Sequence, residues 1–271
     1  MGEEDSPVGL EWQVTTWNRM ARLYATENAP RLAPVAERVV AHAGITTCEH
    51  ILDIGTGSGT VVKLAAAQVG ARGQVTGIDI SLELLAVARE QLVSAGPAKI
   101  ALLEGGAESI PAEDRTFDVV LSSLSLMYVV DRAAAAREIS RVLRPGGRVV
   151  GAVWAGAEQC DLVRFQEIAG GFGAAPPVPG VGPGALANAG QFLQQLADSG
   201  IDSTVEIETL GFGVESLAVA WDVFAGVTAS SMSPERRREA KDALLAAMWP
   251  NGDGPRYFRN TTQFIIGKKA R

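Results

Sequence analysis

The chain has 271 residues, 47% of them apolar, and a mean hydropathy of +0.13, enough to bury a full core and to exclude a largely disordered protein. A formal charge of −7 excludes a nucleic-acid groove, which needs a basic face, and leaves Arg236-Arg237-Arg238 as a solvated helix surface. Cys48 and Cys160 lie far apart with no histidine beside either, no apolar run approaches a membrane span, and Met1-Gly2-Glu3-Glu4-Asp5 is too acidic for a signal peptide, so neither disulfide, metal nor membrane is expected and the location is cytoplasmic.

In chain order, residues 1–44 are expected to form a helical segment, 45–154 a ligand-binding core, and 155–271 a lid loop, two further strands and a helical cap (212–260). His42 falls in the N-terminal helix and His50 begins the first strand, at the edge remote from any ligand, so both read as structural. Residues 51–59, Ile51-Leu52-Asp53-Ile54-Gly55-Thr56-Gly57-Ser58-Gly59, are an apolar strand running into an acid and three alternate glycines. That is a strand feeding a glycine loop that opens a helix. The tight turn calls for positive φ, and a ligand cannot approach the backbone closely past a Cβ. The dinucleotide fingerprint is G-x-G-x-x-G, but with Gly55 and Gly57 as its first glycines the third position falls on Thr60. Asp53 would also repel a pyrophosphate. It would attract an ammonium or a sulfonium, and S-adenosylmethionine carries both cations and no phosphate.

Thr60–Val69 reads as the helix after the loop, and Gln74–Asp79 as the next strand, ending in an acid 20 residues after Gly59. A carboxylate there can accept hydrogen bonds from both ribose hydroxyls, in NAD and adenosylmethionine sites alike. The competing role for Asp79 is a helix cap, but Ser81 is the better cap for the helix predicted over Leu82–Ser94. Strands follow at Lys99–Leu103 and Phe117–Ser122, then a helix at Arg132–Leu143 and a strand at Gly147–Trp154 entered by the turn Arg144-Pro145-Gly146-Gly147. This alternation predicts an α/β fold, a doubly wound and mostly parallel sheet with ligands at the carboxyl ends of its strands. Asp53, Asp79, the loop after Leu103, and Ser122 all fall at that edge.

Ala155–Asn188 is rich in glycine and proline and is expected to be largely loop, forming a lid or pocket wall. Gln191–Ser199 reads as a helix, Val205–Leu210 as the sixth strand and Thr262–Gly267 as the seventh. Between those strands lie two amphipathic helices, Glu215–Ala229 and Pro234–Met248, the second capped by Ser233 with Pro234 at its first position. Both are expected to cover the site. Trp12, Trp17, Phe165, Phe172, Trp221, Phe224, Trp249, Tyr257 and Phe258 lie in these flanking regions. If a few line the cleft, the acceptor is an apolar or aromatic small molecule.

Residues 17–154 resemble the seven-strand, Rossmann-like (class I) S-adenosylmethionine-dependent methyltransferases. More narrowly they are similar to the branch of ubiquinone/menaquinone C-methyltransferases and small-molecule methyltransferases of natural-product pathways. The motifs, in order, are Asp53–Gly59 for the cofactor loop, Gly77-Ile78-Asp79-Ile80 for the ribose strand, and Phe117-Asp118-Val119-Val120 with Leu143–Gly147 for a later strand and turn. The resemblance implies that Gly55, Thr56 and Gly57 receive the methionine part, Asp79 the ribose, and Ile80 the adenine face. It also implies that Ala107 and Glu108 line the adenine edge, with Gly106 offering backbone where many relatives have an aspartate. Ser122 would face the methionine end. Tyr24 either closes over the methionine carboxylate, as in relatives, or packs in the core.

Methyl transfer from a sulfonium is an in-line displacement, so much of the acceleration comes from placing the nucleophile behind the methyl group. A base is needed only if the nucleophile loses a proton. In Leu126-Met127-Tyr128-Val129 relatives often carry histidine at one or both middle positions. Here Tyr128 is the candidate for orienting the acceptor, or else a packed aromatic at the cleft rim. The implied function is O- or C-methylation of a quinone-, phenol-, polyketide- or terpenoid-like metabolite of secondary metabolism, and a homodimer is compatible with it. Two rivals stay open: an adenosylmethionine-binding protein used for another reaction such as a cyclisation, or for ligand sensing, and an NAD-dependent oxidoreductase, which the shifted glycine and Asp53 disfavour.

Overall fold

Strands covered on both faces read as continuous apolar runs rather than alternations, and the central strands of this chain do so. The structure, a computed structural model, describes residues 6–271; the acidic start, residues 1–5, lies outside them. Strands β1 (His50–Ile54), β2 (Gln74–Asp79), β3 (Lys99–Glu104), β4 (Phe117–Ser123), β5 (Leu143–Trp154), β6 (Ile201–Val214) and β7 (Arg256–Lys269) form one sheet in the order β3-β2-β1-β4-β5-β7-β6. The first five run parallel, and β7 runs antiparallel to β5 and β6. The strand order reverses between β1 and β4, so a crevice opens beyond their carboxyl ends.

The crossovers are α3 (Thr60–Val69), which buries Val61, Val62, Ala65, Ala66 and Val69, α4 (Leu82–Gln91) and α5 (Arg132–Val142). Ser81 caps α4, as its position predicts: its hydroxyl accepts from the Leu84 N–H at 3.1 Å. Two helices precede the sheet, α1 (Ser6–Leu23) and α2 (Ala29–Ala43), joined by a π-helical turn over Tyr24–Asn28. There the Ala29 N–H donates five residues back to the Tyr24 carbonyl, and Pro30 has no N–H with which to restore α-helical bonding.

Several boundaries depart from the sequence reading. The segment 155–188 is not all loop: it holds α6 (Asp161–Gly170), which buries Leu162, Val163, Phe165 and Ala169. The predicted helix Glu215–Ala229 is two, α8 (Leu217–Phe224) and α9 (Gly226–Ala229), with Gly226 so close to Met20 that a Cβ would lie 2.9 Å from its sulfur. β6 and β7 each extend to 14 residues because they pair with each other along their whole length. α4 ends at Gln91 rather than Ser94, and α5 at Val142, where Leu143 enters β5 ahead of Pro145. α7 (Gly190–Asp198) and α10 (Pro234–Met248) lie within a residue of prediction, and the Ser233 hydroxyl caps α10 as expected. On α10 the run Arg236–Arg238 is solvated, with Arg236 and Arg238 paired to Glu239 and Glu235. No helix among the described residues is long and apolar enough to cross a membrane.

Candidate active site

The loop after β1 takes the conformation its glycines allow: Gly55, Gly57 and Gly59 have φ of 67°, 55° and 88°. A Cβ on Gly55 would sit 2.4 Å from that of Ser125, and one on Gly57 would lie 3.3 Å from the Tyr24 ring. Both sides of the loop are therefore walled by side chains at contact distance. Asp79, at the tip of β2, accepts from the Gly57 N–H at 2.8 Å and the Ser81 N–H at 2.9 Å. It is thus both a turn acid and a ligand candidate. One backbone donor per oxygen leaves each with a lone pair. Burial holds its pKa above the ordinary carboxylate value, partly offset by those backbone bonds.

A single cavity of about 450 Å³ runs from this loop beneath α1. Asp79, Ile80, Gly55, Gly57 and Gly105–Ser109 line one part, and Met20, Leu32, Trp154, Leu162, Phe224 and Val227 another. Three aromatic rings also line it. Trp17 meets Tyr24 edge-on at 6.1 Å and Tyr128 at 5.2 Å. Burial pushes the Tyr24 hydroxyl up to about 12, with the Asp79 and Asp53 charges adding to the rise; burial and then Tyr24 raise Tyr128 as well. Both tyrosines stay neutral at physiological pH. α1 is held over the cleft by Asn18, whose side-chain oxygen accepts from the Ser81 hydroxyl at 2.7 Å, and by Gln13, whose amide donates to the Tyr128 carbonyl at 2.9 Å.

Of the residues singled out in the sequence, Tyr24, Gly55, Gly57, Asp79, Ile80, Gly106, Ala107, Glu108 and Tyr128 line this cavity. Asp53, Thr56 and Ser122 do not. Side chains alternate along a strand, so with Ile54 and Ser123 facing the cavity, Asp53 and Ser122 turn away from it. Ser122 reaches the site through a relay: its hydroxyl meets that of Ser125 at 2.5 Å, and Ser125 donates to the Ile54 carbonyl at 2.8 Å. Thr56 faces a recess of about 20 Å³ behind Tyr24, shared with Ser58 and Thr60. Tyr24 stands against Gly57 and lines the cavity.

Asp53 is 1% exposed, and neither carboxylate oxygen has a hydrogen-bond partner; the Thr56 and Ser58 hydroxyls are also unpaired. Burial lifts its pKa to about 7, the neighbouring Thr56 hydroxyl opposes the rise, and the Asp79 charge adds to it. A buried carboxylate without a partner, directly behind a glycine cradle, suits a ligand that brings positive charge to the other side. Together with the open acceptor sites of Asp79, the residues present fit S-adenosylmethionine.

The cap is only partly as expected. α8 and α9 line the cavity, whereas α10 packs against α6 and contributes no lining residue. Of the flanking aromatics, Trp17 and Phe224 reach the cavity, Phe165 and Phe258 are core, and Tyr257 is exposed. Sequence reasoning missed Gln13, Asn28, Ser125, Trp154 and Gln166, all of which line it. Pro30 beside a helical run was the one local sign that a helix wall opens near Asn28.

Residues 52–151 match a family model described as a methyltransferase domain. The ubiquinone/menaquinone biosynthesis C-methyltransferase UbiE of Xylella fastidiosa (strain M23) is 36% identical over 110 residues, 40% of this chain and 44% of that protein. The chloroplastic 2-phytyl-1,4-beta-naphthoquinone methyltransferase of Arabidopsis thaliana is 37% identical over 142 residues, 49% of this chain and 54% of that protein. The chain thus spans about half the length of these curated relatives. Among solved structures, the YcgJ protein of Bacillus subtilis superposes with a TM-score of 0.63 at 18% identity, over 88% of this chain and 99% of that one, a likeness of fold. With the glycine loop, the β2 acid and the strand order on the same stretch, the chain carries over residues 52–151 a methyltransferase domain of the class I, Rossmann-like S-adenosylmethionine-dependent family.

Proposed function

We propose that this chain moves a methyl group from S-adenosylmethionine to an oxygen or carbon nucleophile of an apolar, ring-bearing small molecule of quinone, phenol, polyketide or terpenoid type. The carrying observation is that one cavity joins the Asp79 and glycine-loop end to an apolar chamber walled by Met20, Trp154 and Phe224. The quinones that appear in the names of the two curated relatives support the ring-bearing class.

The cofactor supplies a methyl group activated on a sulfonium. Asp79 takes the ribose hydroxyls, Ile80 and Ala107 pack the base, and Glu108 stands at its edge. Asp53 lends negative potential from behind the loop, while Trp17 and Tyr24 keep water out. Tyr128 orients the acceptor from the far side of Trp17. The ionisable residues lining the cavity are Asp79, Glu108, Asp131 and the two tyrosines, and neither histidine is among them. His42 instead pairs with Glu208 at 3.1 Å and does not line the cavity. Rate enhancement therefore rests on placement of an acceptor that is nucleophilic or readily ionised by itself.

Calorimetric titration with S-adenosylmethionine, S-adenosylhomocysteine and NAD tests the cofactor half of this reading. Micromolar binding of the two adenosyl ligands, weakened about 10-fold or more in Asp79→Ala, is expected, with none for NAD. Binding of NAD alone, or of none of the three, overturns it. Isolation of a methylated product from incubation with methyl-labelled donor separates methyl transfer from a non-methylating use of the same site.

A further inference from the structure

The charges that line the cavity all have one sign. Asp79, Glu108 and Asp131 are there, and among the described residues no lysine, arginine or histidine lines it. Asp53, without a hydrogen-bond partner behind the glycine loop, adds a fourth carboxylate. What the three lining acids bind is backbone. Asp79 accepts the Gly57 and Ser81 N–H groups, Glu108 the Val130 N–H at 3.1 Å, and Asp131 the Ala134 N–H at 2.8 Å. Peptide N–H groups satisfy the oxygens without cancelling their charge.

The arginines on α5 do little to neutralise them. Arg132 donates to the carbonyls of Leu126, Met127 and Gly180, and Arg137 meets Asp131 only at 4.0 Å, where both side chains are more than half exposed. An exposed pair at that distance is weak and screened. The remaining walls, among them Leu10, Met20, Leu32, Trp154 and Phe224, are apolar. A cleft lined by one sign of charge and walled by apolar groups keeps its field, so it draws in ligands of opposite charge and repels those of like charge. Apolar walls alone do not discriminate in this way, because they penalise a cation and an anion alike.

We infer that this lining is a charge filter: the cavity takes a ring-bearing acceptor that is neutral or cationic and excludes one with a fixed carboxylate or phosphate substituent. Glu108 and Asp131 both stand beside Val130, which lines the cavity and is 41% exposed, so these two charges lie where the cavity meets solvent. Repulsion there selects against an anionic ligand without any added contact to the favoured one. This rests on the reading of the cavity as a methyl-acceptor site and adds to it the charge that the acceptor can carry.

The test titrates the full chain, saturated with S-adenosylhomocysteine, with three naphthols that differ in one substituent: 6-(aminomethyl)-2-naphthol, 6-hydroxy-2-naphthamide and 6-hydroxy-2-naphthoate. Near neutral pH and at low salt the cation is expected to bind about 10-fold or more tightly than the anion, with the neutral amide also ahead of the anion. The double variant Asp131→Asn/Val130→Lys should bring the cation-to-anion ratio towards one. It changes the lining charge at two positions with no part in holding the cofactor, and asparagine keeps the cap of α5. Unchanged S-adenosylhomocysteine affinity shows that the variant is folded. Equal affinity for cation and anion in the parent protein, tighter binding of the anion, no binding of any of the three, or a ratio that the double variant leaves unchanged overturns the inference and leaves the cofactor reading standing. Failure of the parent to bind S-adenosylhomocysteine at all overturns both.

Discussion

Asp53 holds a carboxylate out of water with nothing to bond it, so its charge is disfavoured in the protein without ligand. Its pKa of about 7 lies above the ordinary 3.8, so between those values the folded chain binds more protons than the unfolded one. Stability therefore falls as pH rises from about 4 to about 7 and levels off above. The shift of roughly three units corresponds to about 4 kcal/mol at most. Asp79, also raised, adds a trend of the same sign. Asp53→Asn is expected to remove the Asp53 share, so the melting temperature of the variant should drop less than that of the parent between about pH 5 and pH 8. An equal drop in both would place the pH dependence elsewhere. Adenosylmethionine binding near pH 7 should also release protons from the parent and fewer from the variant, read as a dependence of the calorimetric heat on buffer ionisation.

Among the elements, the glycine loop carries the most constraint per residue. Gly55→Ala meets two penalties, a left-handed backbone costing roughly 1–2 kcal/mol and a collision with Ser125 that disturbs its bonds to Ile54 and Ser122. Gly44→Ala meets only the first, since nothing lies within 4 Å of a Cβ there. Denaturant midpoints should fall for both, further for Gly55→Ala, and only Gly55→Ala should weaken S-adenosylhomocysteine binding, by about 10-fold or more. Equal midpoints would mean that the Ser125 contact relaxes freely. The loop was legible in the sequence because alternate glycines after an apolar strand and an acid admit few other structures. So were the five parallel strands, whose signal is continuous. α6 was hidden because neighbouring glycines and prolines dominate the composition and Cys160 gives it no side-chain cap. Ser122 was named and Ser125 missed because strand ends are visible in a sequence, whereas Leu124, at φ of 59°, turns the chain in a way that no leucine advertises. Asn28 and Gln166 became site residues only when separate segments met.

At the scale of the whole molecule, the segment 171–189 is tied near its ends, where the Ala174 N–H donates to the Ser231 hydroxyl, the Gln263 amide donates to the Leu186 and Ala187 carbonyls, and the Ala189 N–H donates to the Gln263 side-chain oxygen, and has a separate set of contacts at its middle. Arg132 donates to the carbonyls of Leu126, Met127 and Gly180, the Gly182 N–H donates to the Met127 carbonyl, and Val178 packs on Gly9. Arg132→Met should speed limited proteolysis within 171–189 several-fold while leaving S-adenosylhomocysteine affinity unchanged, since local opening follows the bonds that resist it. Cuts elsewhere, or an unchanged rate, would show that the middle of the segment is held by packing alone. The place of β7 in the sheet has a different consequence. β6 pairs only with β7, and β7 lies between β6 and β5. Residues 201–214 therefore have no sheet partner until 256–269 arrive, and the intervening stretch carries α8 and α9, which wall the acceptor chamber. Closing that long loop is slow relative to forming local helices. The chamber is thus a late product of folding: the parallel half can assemble with its glycine loop, but the pocket that chooses an acceptor exists only once the final strand has threaded into the sheet.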